Sequence, residues 1–155
     1  MPHNLWMFLA TLGPIGFIRP APGTWGSLAA MIIGVGIAML SPKLLEFAFM
    51  IICITGIIAA GKYQDSTGKK DASEIVVDEV AGQWIPLFVI PIDDWRWLLA
   101  AFILFRFFDI VKPGPVKMAE ALPRGIGVMA DDIVAGVLAA VCLLAAQWAL
   151  TGGIF

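Results

Sequence analysis

The sequence predicts an all-α protein: a compact polytopic membrane helical bundle of about four to five apolar helices, with an N-terminal interfacial or re-entrant helix. Three observations carry this. Hydrophobic residues make up 60% of the 155 and charged residues only 14%, against roughly half and a quarter in a soluble domain. The mean hydropathy is +0.90. Apolar runs also alternate with short charged stretches along the whole chain, which at this length reads as one domain spanning 1–155.

The elements follow in order. Met1 to Ile18 is moderately apolar, with no basic segment ahead of it and no small-residue cleavage site after it, so it reads as a retained interfacial or re-entrant helix. Ser27 to Leu40 is closed by Ser41 and Pro42, and Leu44 to Ala60 carries only Glu46. A polar stretch, Gly61 to Asp78, precedes the apolar Val80 to Ile92, which Asp93 and Asp94 end. Trp95 to Ile110 is apolar apart from Arg96, Arg106 and Asp109. A Pro/Gly-rich connector, Val111 to Gly127, leads into Ile133 to Leu150. A full crossing takes about 20 apolar residues, so the shorter runs either cross with snorkelling ends or sit in the bundle core. Trp84, Trp95, Trp97 and Trp148 fall near segment ends, where interfacial anchoring and core burial are both open.

Charge distribution excludes some functions and orients the rest. A net charge of -2 and no basic run argue against nucleic acid. Cys53 and Cys142 lie inside apolar runs and read as small buried hydrophobes; His3 stands alone near the terminus and offers no metal cluster. The two long connectors hold Lys62, Lys69 and Lys70, then Lys112, Lys117 and Arg124, whereas the short turns hold Lys43 and Arg96. Positive-inside bias therefore puts both long connectors in the cytoplasm. The polar motifs then gather at that one face.

Two of those motifs repeat. Asp78-Glu79-Val80-Ala81-Gly82 and Asp132-Ile133-Val134-Ala135-Gly136 both read D-x-V-A-G, and each has a second acid adjacent, Glu79 or Asp131. On a helix the aspartate and the glycine four residues later share a face. The glycine admits a neighbouring helix, and the carboxylates are expected in first turns, where the helix dipole favours negative charge. Each acid alone could be an N-terminal cap. Four of them at one face, with Asp109 ending a third helix, would repel unless a cation bound, and oxygen-only ligands select a hard one, Mg²⁺ before Zn²⁺. Arg106 and Lys112 flank Asp109, as a salt-bridged helix end or as a clamp for a phosphate. Upstream, the Gly/Pro loop Arg19 to Ser27 opens a helix, and its backbone amides could hold an anion with the Thr24 or Ser27 hydroxyl. No G-K-[ST] follows, so a nucleotide-hydrolysing loop is not implied.

Four blocks of the sequence resemble the bacterial phosphatidylglycerophosphatase A family. They are Pro22-Gly-Thr-Trp-Gly-Ser-Leu28, Ile75-Val-Val-Asp-Glu-Val-Ala-Gly82, Phe105-Arg-Phe-Phe-Asp-Ile-Val-Lys-Pro113 and Gly125-Ile-Gly-Val-Met-Ala-Asp-Asp-Ile-Val-Ala-Gly136, in matching order and spacing. Asp71 also fits the family pattern. The resemblance covers nearly the whole chain. It implies a Mg²⁺-dependent enzyme of the bacterial inner membrane that removes the terminal phosphate of phosphatidylglycerophosphate to give phosphatidylglycerol, with lipid and membrane as its partners and no obligate protein partner.

On this reading Asp78, Glu79, Asp131 and Asp132 are the expected metal ligands, with Asp109 a further ligand or supporting partner. Catalysis falls to these five acids and Lys112, with Glu79 or Asp131 as general base. Arg19, Thr24, Ser27 and Arg106 are the expected substrate-binding residues. Attack by water and attack by an aspartate both remain open. Three rival classes are a phosphotransferase of the CDP-alcohol type, whose D-G-x-x-A-R signature is absent, a lipid phosphatase with a His nucleophile, ruled out by a chain whose only histidine is His3, and a cation transporter, which needs acids nearer mid-membrane.

Overall fold

The computed structural model describes residues 2–70 and 72–152, without the side chains of residues 2–4. Asp71 and the His3 ring therefore lie outside the described residues. Among those described, all regular structure is helical: α1 (Pro2–Thr11), a 3₁₀ turn (Ile15–Phe17), α2 (Pro22–Leu40), α3 (Pro42–Thr67), α4 (Val77–Leu87), α5 (Trp95–Val111), α6 (Gly114–Glu120) and α7 (Arg124–Leu150).

Helix boundaries follow local chemistry. Proline occupies the first turn of α2 and α3, where its missing N–H and fixed φ cost nothing. The Asp94 carboxylate caps α5 by accepting the Arg96 amide at 2.9 Å. α3 stops at Gly68, whose φ of 69° is left-handed.

Among the described residues, three helices are long and apolar enough to cross a membrane: α2 at 19 residues, α3 at 26 and α7 at 27. The protein is a membrane protein on this ground. α4 is too short at 11 residues, and α5, at 17, meets the lower limit for a span while carrying Arg106 and Asp109.

Several elements depart from the sequence reading. The polar stretch from Gly61 is helical to Thr67, because nothing before Gly68 breaks α3. The connector from Val111 to Gly127 contains α6 and the start of α7. Pro123 starts α7, and the small and aliphatic residues that follow continue it without interruption. Asp131 and Asp132 consequently lie two turns inside a helix and not in its first turn, so for them the dipole argument fails. Trp84 is buried, and its indole donates to the Ala30 carbonyl of α2 at 2.7 Å. Trp95 and Trp148 are exposed, as interfacial residues would be.

Helices α4 and α7 form the most extensive contact in the bundle. They can do so because the two D-x-V-A-G glycines meet. A Cβ on Gly136 would strike the Gly82 carbonyl, and one on Gly82 would strike the Asp132 carbonyl and the Phe105 ring. Small residues at a crossing let backbones approach where lipid offers no hydrophobic drive. Buried Phe105, Ala135 and Ala139 complete the seam between α5 and α7. The repeated motif is therefore a packing device as well as a carrier of acids.

Candidate active site

One cavity of about 270 Å³ opens where the starts of α2, α4 and α7 meet the ends of α3 and α5. Pro22 and Gly23, Asp78 and Glu79, Arg124 and Asp131, Gln64, and Lys112 line it. These are the same helix ends that the charge-based topology places on one face.

Glu79 sits in the first turn of α4 and is nearly buried. The Ser27 hydroxyl donates to its Oε2 at 2.5 Å, and Arg106 Nη1 lies 2.8 Å from both of its oxygens. The same Nη1 reaches Asp109 Oδ2 at 2.7 Å, one turn along α5. A guanidinium shared by a buried and a half-buried carboxylate is held firmly, since breaking either pair leaves a poorly solvated charge uncompensated. Gly23 is part of this arrangement: a Cβ there would collide with the Glu79 carboxylate. Ser27 is no helix cap, because α2 already begins at Pro22; its hydroxyl also lies 2.8 Å from the Gly23 carbonyl.

Lys112 caps the end of α5 in a left-handed conformation, φ 48°. Its ammonium reaches Asp131 Oδ2 at 2.7 Å and Glu120 Oε1 at 2.5 Å. Burial alone would lower its pKa, but the hydrogen bonds it donates to Asp131 and Glu120 outweigh this and raise it above the ordinary lysine value. The ammonium is thus permanent at working pH.

The remaining acids are less committed. Among the described residues, Asp78 Oδ1 accepts only the neighbouring Glu79 amide, at 2.9 Å. Asp132 is buried, and its Oδ2 has no hydrogen-bond partner among the described residues. One oxygen each from Asp109, Asp131 and Asp132 lie within 4.8 Å of one another. A buried acceptor without a donor is costly, and three converging carboxylates repel. A hard divalent cation would relieve both, so the residues fit one. Asp109 belongs to this convergent set with Asp131 and Asp132, whereas Glu79, expected among the ligands, spends both oxygens on Ser27 and Arg106.

The predicted substrate residues separate. Ser27 and Arg106 stand behind the cavity wall, both bonded to Glu79, which lines it. Arg19 points elsewhere: it lies 3.6 Å from Glu74 and donates to Ser73 at 3.4 Å, beside the cavity mouth. Thr24 is half-buried in the first turn of α2. Glu74 is held below the usual carboxylate range, first by its own backbone amide and then by Lys69 at 3.1 Å. Sequence reasoning missed Glu120 as a partner of Lys112, and Gln64, Lys70 and Arg124 as cavity lining. For the cations a signal existed, since they lie in the basic connectors. Glu120 and Gln64 lie on solvated helix ends and carry none.

A family model described as phosphatidylglycerophosphatase A matches residues 8–147. The chain is 43% identical over 135 residues to phosphatidylglycerophosphatase A of Haemophilus influenzae, covering 86% of this chain and 83% of that one. It is 38% identical over 139 residues to phosphatidylglycerophosphatase A of Escherichia coli, covering 88% and 80%. It is also 44% identical over 156 residues to a putative phosphatidylinositol-3-phosphatase of Bacteroides thetaiotaomicron, covering 96% and 98%. No solved structure matches.

Proposed function

Because the chain belongs to the phosphatidylglycerophosphatase A family, we propose that its carboxylate basin hydrolyses the terminal phosphate of phosphatidylglycerophosphate with the help of Mg²⁺. The enzyme is a phosphoric monoester hydrolase acting on a phospholipid. The observation that carries the mechanistic reading is the convergence of Asp109, Asp131 and Asp132 around the unpartnered Asp132 oxygen.

Those three aspartates would hold the cation, with Asp78 beside them. The cation would supply Lewis-acid polarisation of the phosphoryl group. Lys112 and Arg106 bring permanent positive charge to the same basin, where the phosphoryl oxygens accumulate negative charge in the transition state. Ion pairing holds Glu79 and Asp131, so Asp78, the least engaged carboxylate outside the three that would hold the cation, is best placed to take the proton of the attacking water. The water oxygen bonds to phosphorus as the P–O bond to glycerol breaks, the glycerol oxygen takes the proton that Asp78 has accepted, and phosphate and phosphatidylglycerol leave. Glu79 acts through Arg106, fixing the guanidinium toward Asp109.

The basic connectors, set against the two lone cations of the opposite turns, support an orientation with the basin on the cytoplasmic side of the bacterial inner membrane. The test is phosphate release from phosphatidylglycerophosphate in detergent, with Mg²⁺ varied and EDTA as control. Asp78→Asn and Asp132→Asn should each lose about 100-fold or more in kcat. Full activity of both variants in EDTA would overturn the mechanism. The name of the Bacteroides relative makes phosphatidylinositol 3-phosphate the first alternative substrate for the same assay.

A further inference from the structure

A second cavity, of about 410 Å³, lies between α3 and the start of α7. Its walls are Ile57, Ile58 and Ile126, all substantially exposed on the outside of the bundle. Its rim carries two cations, Lys62 and Arg124, and one acid, Asp65. Arg124 also lines the catalytic cavity, so the two spaces meet at that residue.

From this continuity we propose that the α3–α7 groove is the lateral entry and docking site for the substrate lipid. Lys62 and Arg124 take its phosphodiester, and the isoleucines take the first part of an acyl chain. This rests on the lipid phosphatase reading above and adds the position of the substrate's second phosphate. The charge is complementary: the rim carries two cations of this chain against the single anionic charge of a phosphodiester. The walls suit the acyl chain, because Ile57 and Ile58 belong to a helix able to cross the membrane and face outward from it.

The depth is suitable too. Gly125 packs directly on the Ile57 carbonyl and the Gly61 amide, so the start of α7 is level with that part of α3. Asp131 follows Arg124 by seven residues, or about 10 Å of helical rise. A phosphodiester at Arg124 therefore leaves the glycerol and its terminal phosphate directed inward to the carboxylates. In the free protein Arg124 pairs with Asp65 at 3.1 Å, with both side chains more than half exposed. Such a pair is held weakly against water and can exchange for a phosphodiester. Lys62 stays at the rim by resting over the Trp6 ring, 5.6 Å from its centroid.

The experiment compares Lys62→Gln/Arg124→Gln and Asp65→Asn with the wild type, using the full chain in detergent. Phosphate release from phosphatidylglycerophosphate gives KM and kcat. Inhibition is measured with two probes: phosphatidylglycerol, which retains only the phosphodiester, and inorganic phosphate, which reports only the catalytic end. The double variant should raise KM and the phosphatidylglycerol inhibition constant about tenfold; Lys62→Gln alone, which lies outside the catalytic cavity, should raise both to a smaller extent with kcat and phosphate inhibition within twofold. Asp65→Asn should lower KM by removing the competitor for Arg124. Unchanged KM in the double variant, or a parallel loss of phosphate inhibition in Lys62→Gln, overturns the groove assignment. Arg124→Lys with Lys62 intact keeps both charges and should retain most of the affinity; a loss as large as that of the double variant marks a packing role instead. Wild-type turnover of the lipid is the separate measure of the catalytic reading.

Discussion

Gly136 of α7 packs directly against the carbonyl of Gly82 in α4, joining the two copies of D-x-V-A-G at one helix crossing. Each copy places its aspartate one turn before the contact, so the crossing sets the spacing between Asp78 and Asp132. Gly136→Ala inserts a methyl group where backbone already stands. Overpacking of this kind costs about 1–3 kcal/mol. The variant should therefore melt several degrees lower in detergent and lose activity beyond what its folded fraction explains. Thermal unfolding and kcat measured on the same preparation separate the two effects.

The crossing also shows how far the sequence could be read. The motif, the glycine's role and the face that gathers the acids were all legible, because period and charge are local properties. The depth of Asp131 was not. It depends on where α7 starts, and Pro123 with the helix-compatible run after it moves that start two turns upstream. Trp84 was equally ambiguous, since its position near a segment end says nothing about Ala30, a carbonyl on another helix 54 residues away. The pairing of Ser27 with Glu79 likewise joins residues 52 apart. Neither partner signals the other in one sequence.

That pairing makes a prediction of its own. Ser27→Ala removes a buried hydrogen bond to a carboxylate, worth about 1.5–3 kcal/mol, and loosens Glu79 without removing it. Glu79→Gln should be more damaging, because it leaves Arg106 with one charged partner in place of two. The expected order of kcat is wild type, Ser27→Ala, then Glu79→Gln. Ser27→Thr, which keeps the hydroxyl, should stay closer to wild type than Ser27→Ala.

The unpartnered Asp132 oxygen predicts a stability effect that does not need substrate. A cation bound only by the folded protein stabilises it by about 2.7 kcal/mol at 100 times its Kd. Mg²⁺ should therefore raise the melting temperature of the wild type and lose this effect in Asp132→Asn. Without Mg²⁺ the Asn variant should be at least as stable as the wild type, because it removes one of three mutually repelling carboxylates. A melting temperature indifferent to Mg²⁺ in both proteins would remove the cation from this site.

Lys112 closes the site from the other side, and its raised pKa sets the sign of its pH dependence. A group whose folded pKa exceeds its unfolded value, about 10.4 for lysine, gives its full stabilisation below that unfolded value. The contribution is lost only as pH rises through the higher folded pKa. Between pH 7 and about 9.5 the ammonium therefore contributes a constant amount, and no alkaline limb of the rate profile in that window belongs to it. Lys112→Met should lower kcat by a similar factor at every pH in the window, with Asp131 left buried beside an apolar side chain. Lys112→Arg keeps the charge but changes its shape, and should recover stability more fully than turnover, because the fork has to fit between Asp131 and Glu120. A Lys112→Met deficit that grows or vanishes across this pH range would mean that the lysine titrates there, contrary to its two carboxylate contacts.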